Sequence, residues 1–347
     1  MNRNNINKPA TITDVARHAG VSIKTVSRVV NKEPNVSQAT LDKVQTAIES
    51  LNYRPNMSAR GLAAQRSFLI TILYDTYLAH SSYTSNVQLG VLKHCNQAGY
   101  EVLIHPIEYD KATVSKRLEQ HLKRTRPDGL IITPPVADAQ NVHQVLNELG
   151  TPYVCLSPGG PQADNFVSID DEKAAQDLCE YLLALGHSQF AVIVGHPDHI
   201  AMSAREKGIK KAMRAAGLPL GKHLQKIQGK NTFHSGVEAT EKLLTQGNLP
   251  TAIIACNDEM AAGAIHVLHQ HNIDVPSDVS VCGFDDAPIA EHTWPQLTTI
   301  RQPVHQMAFH AAELLVEKLA GNASPKSRIE FSSELIIRAS SCAPKGL

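Results

Sequence analysis

Residues 11–51 carry three helix-start signals in close succession, and this constrains the fold more than any other feature of the chain. Thr11 is followed three residues on by Asp14, the reciprocal pairing of a capping box at the mouth of TITDVARHA. Ala19-Gly20-Val21-Ser22 reads as a tight turn, with Gly20 free to adopt the positive φ that ends a helix. Ser22 caps a second helix through Val30, with Val26, Val29 and Val30 on its buried side and Lys24, Thr25, Ser27 and Arg28 outside. A third helix starts after Ser37 and sets Leu41, Val44, Ile48 and Leu51 on one face. Two short helices joined by a glycine turn make a helix-turn-helix, whose second helix enters the DNA major groove.

Charge points the same way. Residues 1–66 hold ten Lys/Arg against four Asp/Glu, so a chain of zero formal net charge is basic at its head and acidic over the rest. A basic head supplies the salt-sensitive attraction to phosphates that DNA binding requires. At the start of the second helix, Ile23 and Lys24 point into the groove and Arg28 lies one turn on. Lys24 and Arg28 donate to guanine O6 and N7, and Ile23 meets a thymine methyl. Ser22, Thr25 and Asn31 hold phosphates, and Ile12 completes the DNA-contacting set.

The string TITDVARHAGVSIKTVSRVVN…VSQATLDKVQTAIESLNYRPNMSARGLA closely resembles the N-terminal signature of the LacI family of bacterial transcription factors. The resemblance implies a helix-turn-helix domain over 1–55, a hinge helix over 56–66 that folds on operator DNA, and Leu62 driven between bases in the minor groove. Met57, Ala59, Leu62 and Ala63 offer an apolar stripe too short for a stable isolated helix.

Beyond the head, short apolar runs alternate with helical patterns. Runs at 68–74, 101–105, 129–133, 152–156, 190–195, 252–255 and 279–284 read as strands, and 87–98, 114–123, 171–185 and 205–216 as helices. Such alternation predicts parallel sheets covered on both faces, with ligands bound at the carboxyl ends of the strands. The first strand runs into Asp75-Thr76-Tyr77-Leu78-Ala79-His80 without a glycine, and no G-x-x-x-x-G-K-[ST] loop occurs, so nucleotide-binding enzymes lose their usual handles.

This half resembles the family's regulatory domain, itself similar to periplasmic sugar-binding proteins. Segments 181–195 (YLLALGHSQFAVIVG), 255–263 (ACNDEMAAG), 278–286 (DVSVCGFDD) and 297–302 (LTTIRQ) carry the likeness. It implies an α/β effector-binding and dimerisation domain over 67–342. The N-lobe would span about 67–168 and 301–328, and the C-lobe about 169–300 and 329–342. Carried over by position, Arg205, Asn257, Asp285 and Gln302 would hydrogen-bond an effector. An arginine fork, an amide and a carboxylate in one cleft suit the vicinal hydroxyls of a sugar. There are departures. Asn231 stands where sugar-binding members often carry a stacking aromatic, and Ser157 where an acidic residue can end the fourth strand. Asp75 and Tyr83 are candidates to restore an acceptor and a stacking surface.

The six cysteines are scattered in apolar patterns without a C-x-x-C, the buried, reduced usage of a cytosolic protein. His266, His269 and His271, and the pair His196 and His199, lack acidic or thiolate partners at ligand spacing, so surface solvation is expected and no metal or cofactor. The polar start of the chain shows no signal peptide, and no run reaches membrane-span length. The tail CAPKGL carries no heptads of the tetramerising kind, which favours a homodimer. The expectation is a cytoplasmic, sequence-specific regulator and not an enzyme, most simply a repressor of carbohydrate-utilisation genes. It would bind a pseudo-palindromic double-stranded operator and be released by a small sugar or derivative. The alternatives weighed are a co-repressor type answering to a purine or a partner protein, an α/β enzyme, and an exported binding receptor.

Overall fold

The computed structural model describes residues 10–30, 34, 36–53, 66–78, 81–159, 163–322 and 327–345, in two compact units that meet between Phe68 and Leu69. The smaller unit holds α1 (Ile12–Ala19), α2 (Ile23–Val30) and α3 (Gln38–Ser50). Its caps are those expected. The Thr11 side chain accepts from the Asp14 amide while the Asp14 carboxylate accepts from the Thr11 amide at 2.9 Å. Gly20 ends α1 at φ +66, Ser22 accepts from the Thr25 amide at 3.1 Å, and Ser37 caps α3. Val15, Ala16, Val26, Val29, Val44, Ala47 and Tyr53 form the core, with Leu41, Ile48 and Leu51 packed against it. Ile12 also packs there, half-buried, so its side chain goes to the head's core before it goes to DNA.

The larger unit begins with β1 (Leu69–Asp75), α4 (Ser82–Ala98), β2 (Glu101–Ile107), α5 (Val114–Thr125), β3 (Gly129–Ile132), α6 (Gln140–Glu148), β4 (Tyr153–Leu156) and β5 (Asn165–Ile169). It continues with α7 (Asp171–Ala184), β6 (Phe190–Val194), α8 (Ile200–Ala215), α9 (Leu220–His223), β7 (Leu224–Gln228), α10 (Phe233–Thr245), β8 (Ala252–Ala255), α11 (Asp258–Gln270), β9 (Ser280–Cys282) and α12 (Pro288–His292). β10 (Thr299–Arg301), α13 (Val304–Leu319), β11 (Ser327–Phe331) and β12 (Glu334–Ile336) complete it. Two parallel sheets result, in the orders β11-β5-β4-β3-β1-β2 and β7-β6-β8-β9, while β10 and β12 pair antiparallel. The central strands β3, β4, β6 and β8 are buried at every position, as strands covered on both faces must be.

The chain passes between the lobes after β5, after β10 and after β11. The last passage follows Phe331, because β11 pairs with β5 from Ser327 to Phe331; the N-lobe therefore runs past the boundary expected near 328. α13 returns to the N-lobe and packs on α4 so closely that a Cβ on Gly90 would lie 2.3 Å from the His305 carbonyl. Among the described residues no helix is long and apolar enough to cross a membrane.

Candidate functional site

In the head, Ser22, Ile23 and Lys24 are exposed at the start of α2 and Arg28 in its last turn, with Thr25 partly exposed between them. Ile23 is 48% exposed, a large apolar side chain that the head's own core leaves outside. Ser22 and Thr25 share a hydroxyl–hydroxyl contact of 2.9 Å. Asn31 and Leu62 lie outside the described residues.

In the larger unit, a cleft with about 570 Å³ of empty space, part of it open to solvent, lies where the two sheets' carboxyl ends face each other. Tyr83, Ser157, Arg205, Asn231, Asn257, Asp285 and Gln302 line it, joined by Leu78, Ser81, Ser82, Pro134, His199, Met202, Glu259 and Ala287. Arg205, one turn into α8, is almost fully buried. Its Nε donates to Asp171 Oδ1 at 2.7 Å, and one Nη donates to the Cys256 carbonyl at 2.5 Å and stands 3.7 Å from Asp285 Oδ1. The guanidinium lies 3.5 Å over the Phe284 ring. Gln302 donates to Asp285 Oδ1 at 2.6 Å, and Tyr83 donates to Ser157 Oγ at 3.3 Å. Asn257 caps α11 through its carbonyl oxygen and donates to the Asn231 carbonyl at 3.0 Å, while Asn231 accepts from the His196 amide. Asn257 is therefore both a wall residue and a turn-former.

The backbone is strained at these strand ends. Ser157 sits at φ +51, Asn231 at +63 and Asp285 at +120, regions that side-chain-bearing residues rarely occupy. Such strain costs on the order of 1–3 kcal/mol per residue and persists only where surrounding structure over-determines it. For Asp285 the brace is Asp258 at the head of α11. Its fully buried carboxyl accepts from the Ala287 amide at 2.7 Å and from Thr299 Oγ1 at 2.6 Å, which fastens the loop on both sides.

Asp75 is not part of this wall. Its Oδ1 accepts from the Tyr77 and Tyr109 amides at 3.3 and 3.2 Å, so the carboxylate organises the loops after β1 and β2. That corrects the expectation of an effector acceptor; a carboxylate beside unpaired backbone amides is captured by them. Two residues that sequence reasoning missed bear on the cleft, one behind its wall and one in it. Asp171, read there only as a helix start, is the buried partner of Arg205. His199, expected on the surface, has both ring nitrogens buried without a hydrogen-bond partner. The apolar stretch that follows it, Ile200-Ala201-Met202, was the available signal. His266, His269 and His271 are exposed as expected, and among the described residues no group of His, Cys, Asp or Glu could hold a metal ion.

Asp138 joins the lobes. Its Oδ1 accepts from the Gly159 amide and its Oδ2 from the Ile200 amide at the start of α8, each at 2.9 Å. Gly159 lies so close to α8 that a Cβ there would stand 2.3 Å from the Ala201 amide. Asp138→Ala leaves both amides without this acceptor, and urea unfolding is expected to show a loss of about 1–3 kcal/mol.

Buried titratable groups give stability two opposed pH dependences. Burial pushes the Asp138 and Asp285 carboxyls up to about 6, so the fold retains protons that the unfolded chain releases, and stability from them falls as pH rises through that range. Burial pulls His121 from 6.5 down to about 4, with His105 stacked on it at 3.8 Å, so its contribution is present above pH 6.5 and fades as pH falls toward 4. His121→Gln is therefore expected to lose about 2 kcal/mol less than the parent between about pH 7 and pH 5, read from urea titrations at each pH.

Comparison with known proteins bears on both units. Residues 11–56 match the family described as bacterial regulatory proteins, lacI family, and residues 179–341 a periplasmic binding protein-like domain. The chain is 32% identical over 332 residues to the HTH-type transcriptional regulator DegA of Bacillus subtilis (strain 168), covering 94% of this chain and 97% of that one. This chain belongs to the LacI family. Its likeness to the ribose operon repressor of Escherichia coli (strain K12) is 32% over 337 residues, 95% of this chain and 99% of the relative. A lac repressor dimer bound to operator and the anti-inducer ONPF matches with a TM-score of 0.80 at 30% identity, covering 97% of this chain and all of that one. As in these LacI-family relatives, a helix-turn-helix head precedes a two-lobed α/β domain, the architecture of a transcriptional regulator.

Proposed function

We propose that this LacI-family protein is a cytoplasmic, homodimeric repressor of carbohydrate-utilisation genes that leaves a pseudo-palindromic operator when a small sugar or sugar derivative enters the cleft. The observation that carries this reading is the convergence of Tyr83, Ser157, Arg205, Asn231, Asn257, Asp285 and Gln302, drawn from both lobes, on one cleft. A ribose operon repressor among its relatives and a lac repressor dimer on operator among the similar structures lend support. One head reads a short half-site, and two symmetric heads multiply that specificity. Ile23, Lys24 and Arg28 read bases, Ser22, Thr25 and Asn31 hold phosphates, and Leu62 wedges the minor groove from a hinge at 56–66.

Ligand binding changes DNA affinity only if it prefers one arrangement of the lobes, because equal affinity for both states shifts nothing. The cleft is suited to binding and not to turnover. The Ser157 hydroxyl is paired with Tyr83 rather than with a base, and no hydrogen bond reaches the His199 ring. The test is a thermal-shift screen of sugars and nucleotides, then operator binding with each hit, then calorimetry on Asp285→Ala. A hit that leaves operator affinity unchanged, or that Asp285→Ala binds as tightly as the parent, overturns the reading.

A further inference from the structure

Resting on that reading of the cleft, we propose that the effector is an uncharged, hydroxyl-rich molecule without phosphate or carboxylate, and that His199 is one of its direct partners. Arg205 is the only Lys or Arg among the described residues lining the cleft. Its charge is already answered by Asp171 at 2.7 Å and Asp285 at 3.7 Å, and its fork is engaged by the Cys256 carbonyl. A phosphate entering here would meet no uncompensated cation. It would meet the carboxyls of Asp285 and Glu259 and the buried Gln302 Oε1, an acceptor with no donor of its own. A phosphate brings only negative charge and acceptors, whereas hydroxyl groups bring the donors that such a wall lacks.

His199 supplies the complementary half. It is the residue before α8, and neither ring nitrogen has a partner. Burial first, then the charge of Arg205 and the neighbouring His196, hold its imidazole down to about 3, so the ring is neutral and carries one donor and one acceptor. A hydroxyl can accept from the ring N–H or donate to the bare nitrogen, whichever faces the cleft, whereas an anion can only accept and leaves a bare nitrogen facing another acceptor. Groups left buried and unsatisfied gain most from a ligand of matching polarity, which is how a binding site rejects near-isosteres.

The test uses the full chain and a panel of ribose, glucose and cellobiose, each beside its phosphate monoester, in thermal-shift assays followed by calorimetric titration. The neutral member of the binding pair is expected to bind at least about tenfold more tightly than its monoester. His199→Ala is expected to weaken that binding about tenfold, with His199→Gln, which keeps a donor and an acceptor, restoring part and His199→Phe, which only fills space, restoring none. All variants are compared at matched unfolding midpoints. Tighter binding of a monoester overturns the selectivity, and equal rescue by Gln and Phe overturns the role of His199. If instead Asp285→Ala leaves neutral-sugar affinity unchanged, it is the cleft itself that has been misassigned.

Discussion

Arg205→Ala is expected to destabilise the larger unit by about 3–5 kcal/mol, more than any other single change to the cleft, because it leaves Asp171 and Asp285 buried with no counter-charge. The side chains of Arg205 and Asp171 are 5% and 8% exposed, too little for water to replace what the guanidinium supplies. The Cys256 carbonyl also loses its donor, and the face of Phe284 loses its stacked cation. Arg205→Lys rescues only part of this. A lysine offers one compact ammonium where Asp171, the Cys256 carbonyl and Asp285 are arranged around a planar fork, so a loss of about 1–2 kcal/mol is expected even with the charge retained. The double variant Arg205→Met with Asp171→Leu should recover much of the alanine variant's deficit, since replacing both members of a buried pair removes the desolvation cost together with the attraction. Urea unfolding of the DNA-free protein reads all three. A loss under about 1 kcal/mol for Arg205→Ala would mean that the carboxyls are solvated in the fold and that the ion pair does not hold the cleft's wall.

Much of this architecture was legible in the residues because its signals are local. Thr11 with Asp14, Gly20, Ser22 and Ser37 each act within a few positions of the backbone groups they cap, and strands covered on both faces announce themselves as unbroken apolar runs. β7 and β11 carry no such signal, for the opposite reason. β7 and β11 sit at sheet edges with mostly exposed or half-exposed side chains, and their sequences LQKIQ and SRIEF carry no apolar run. Helices α6, α10, α11 and α13 likewise lie outside the helical patterns expected from the sequence, and the unmarked β11 is what displaced the lobe boundary.

The cleft divides along the same line. Residues at strand ends, such as Asn257 and Asp285, could be placed because the resemblance and the strand pattern agree on where strands stop. The pairing of Arg205 with Asp171 across 34 positions has no local signature, so an aspartate that opens a helix looks the same whether it faces solvent or a buried arginine. Asp75 shows the converse. Its position after β1 is where an effector ligand could stand, but the Tyr109 amide, brought from another loop by the pairing of β1 with β2, claims its carboxylate. Which way a polar side chain turns is decided by tertiary neighbours, and sequence periodicity does not contain them.

Arg28→Ala is expected to cut specific operator affinity severely while leaving the head folded. One bidentate arginine–guanine pair discriminates by about 1–3 kcal/mol, and a symmetric dimer makes the contact twice, so about 2–6 kcal/mol is at stake, roughly 30-fold to over 10⁴-fold in affinity. The fold should tolerate the change. Arg28 lies on the exposed side of α2, whereas Val26 and Val29 bury the other side against Val15 and Val44. Val26→Ala, by contrast, should weaken binding only by unfolding the head. The operator is obtained first by selecting bound duplexes from a random pool, and the two variants are then titrated on that site and on scrambled DNA at several salt concentrations. A base-reading Arg28 predicts a large loss on the selected site, a small loss on scrambled DNA and relaxed preference at one symmetric base pair. If affinity instead falls equally on both duplexes and the salt slope drops by about one per half-site, Arg28 holds phosphate and the base reading shifts to Lys24 and Ile23.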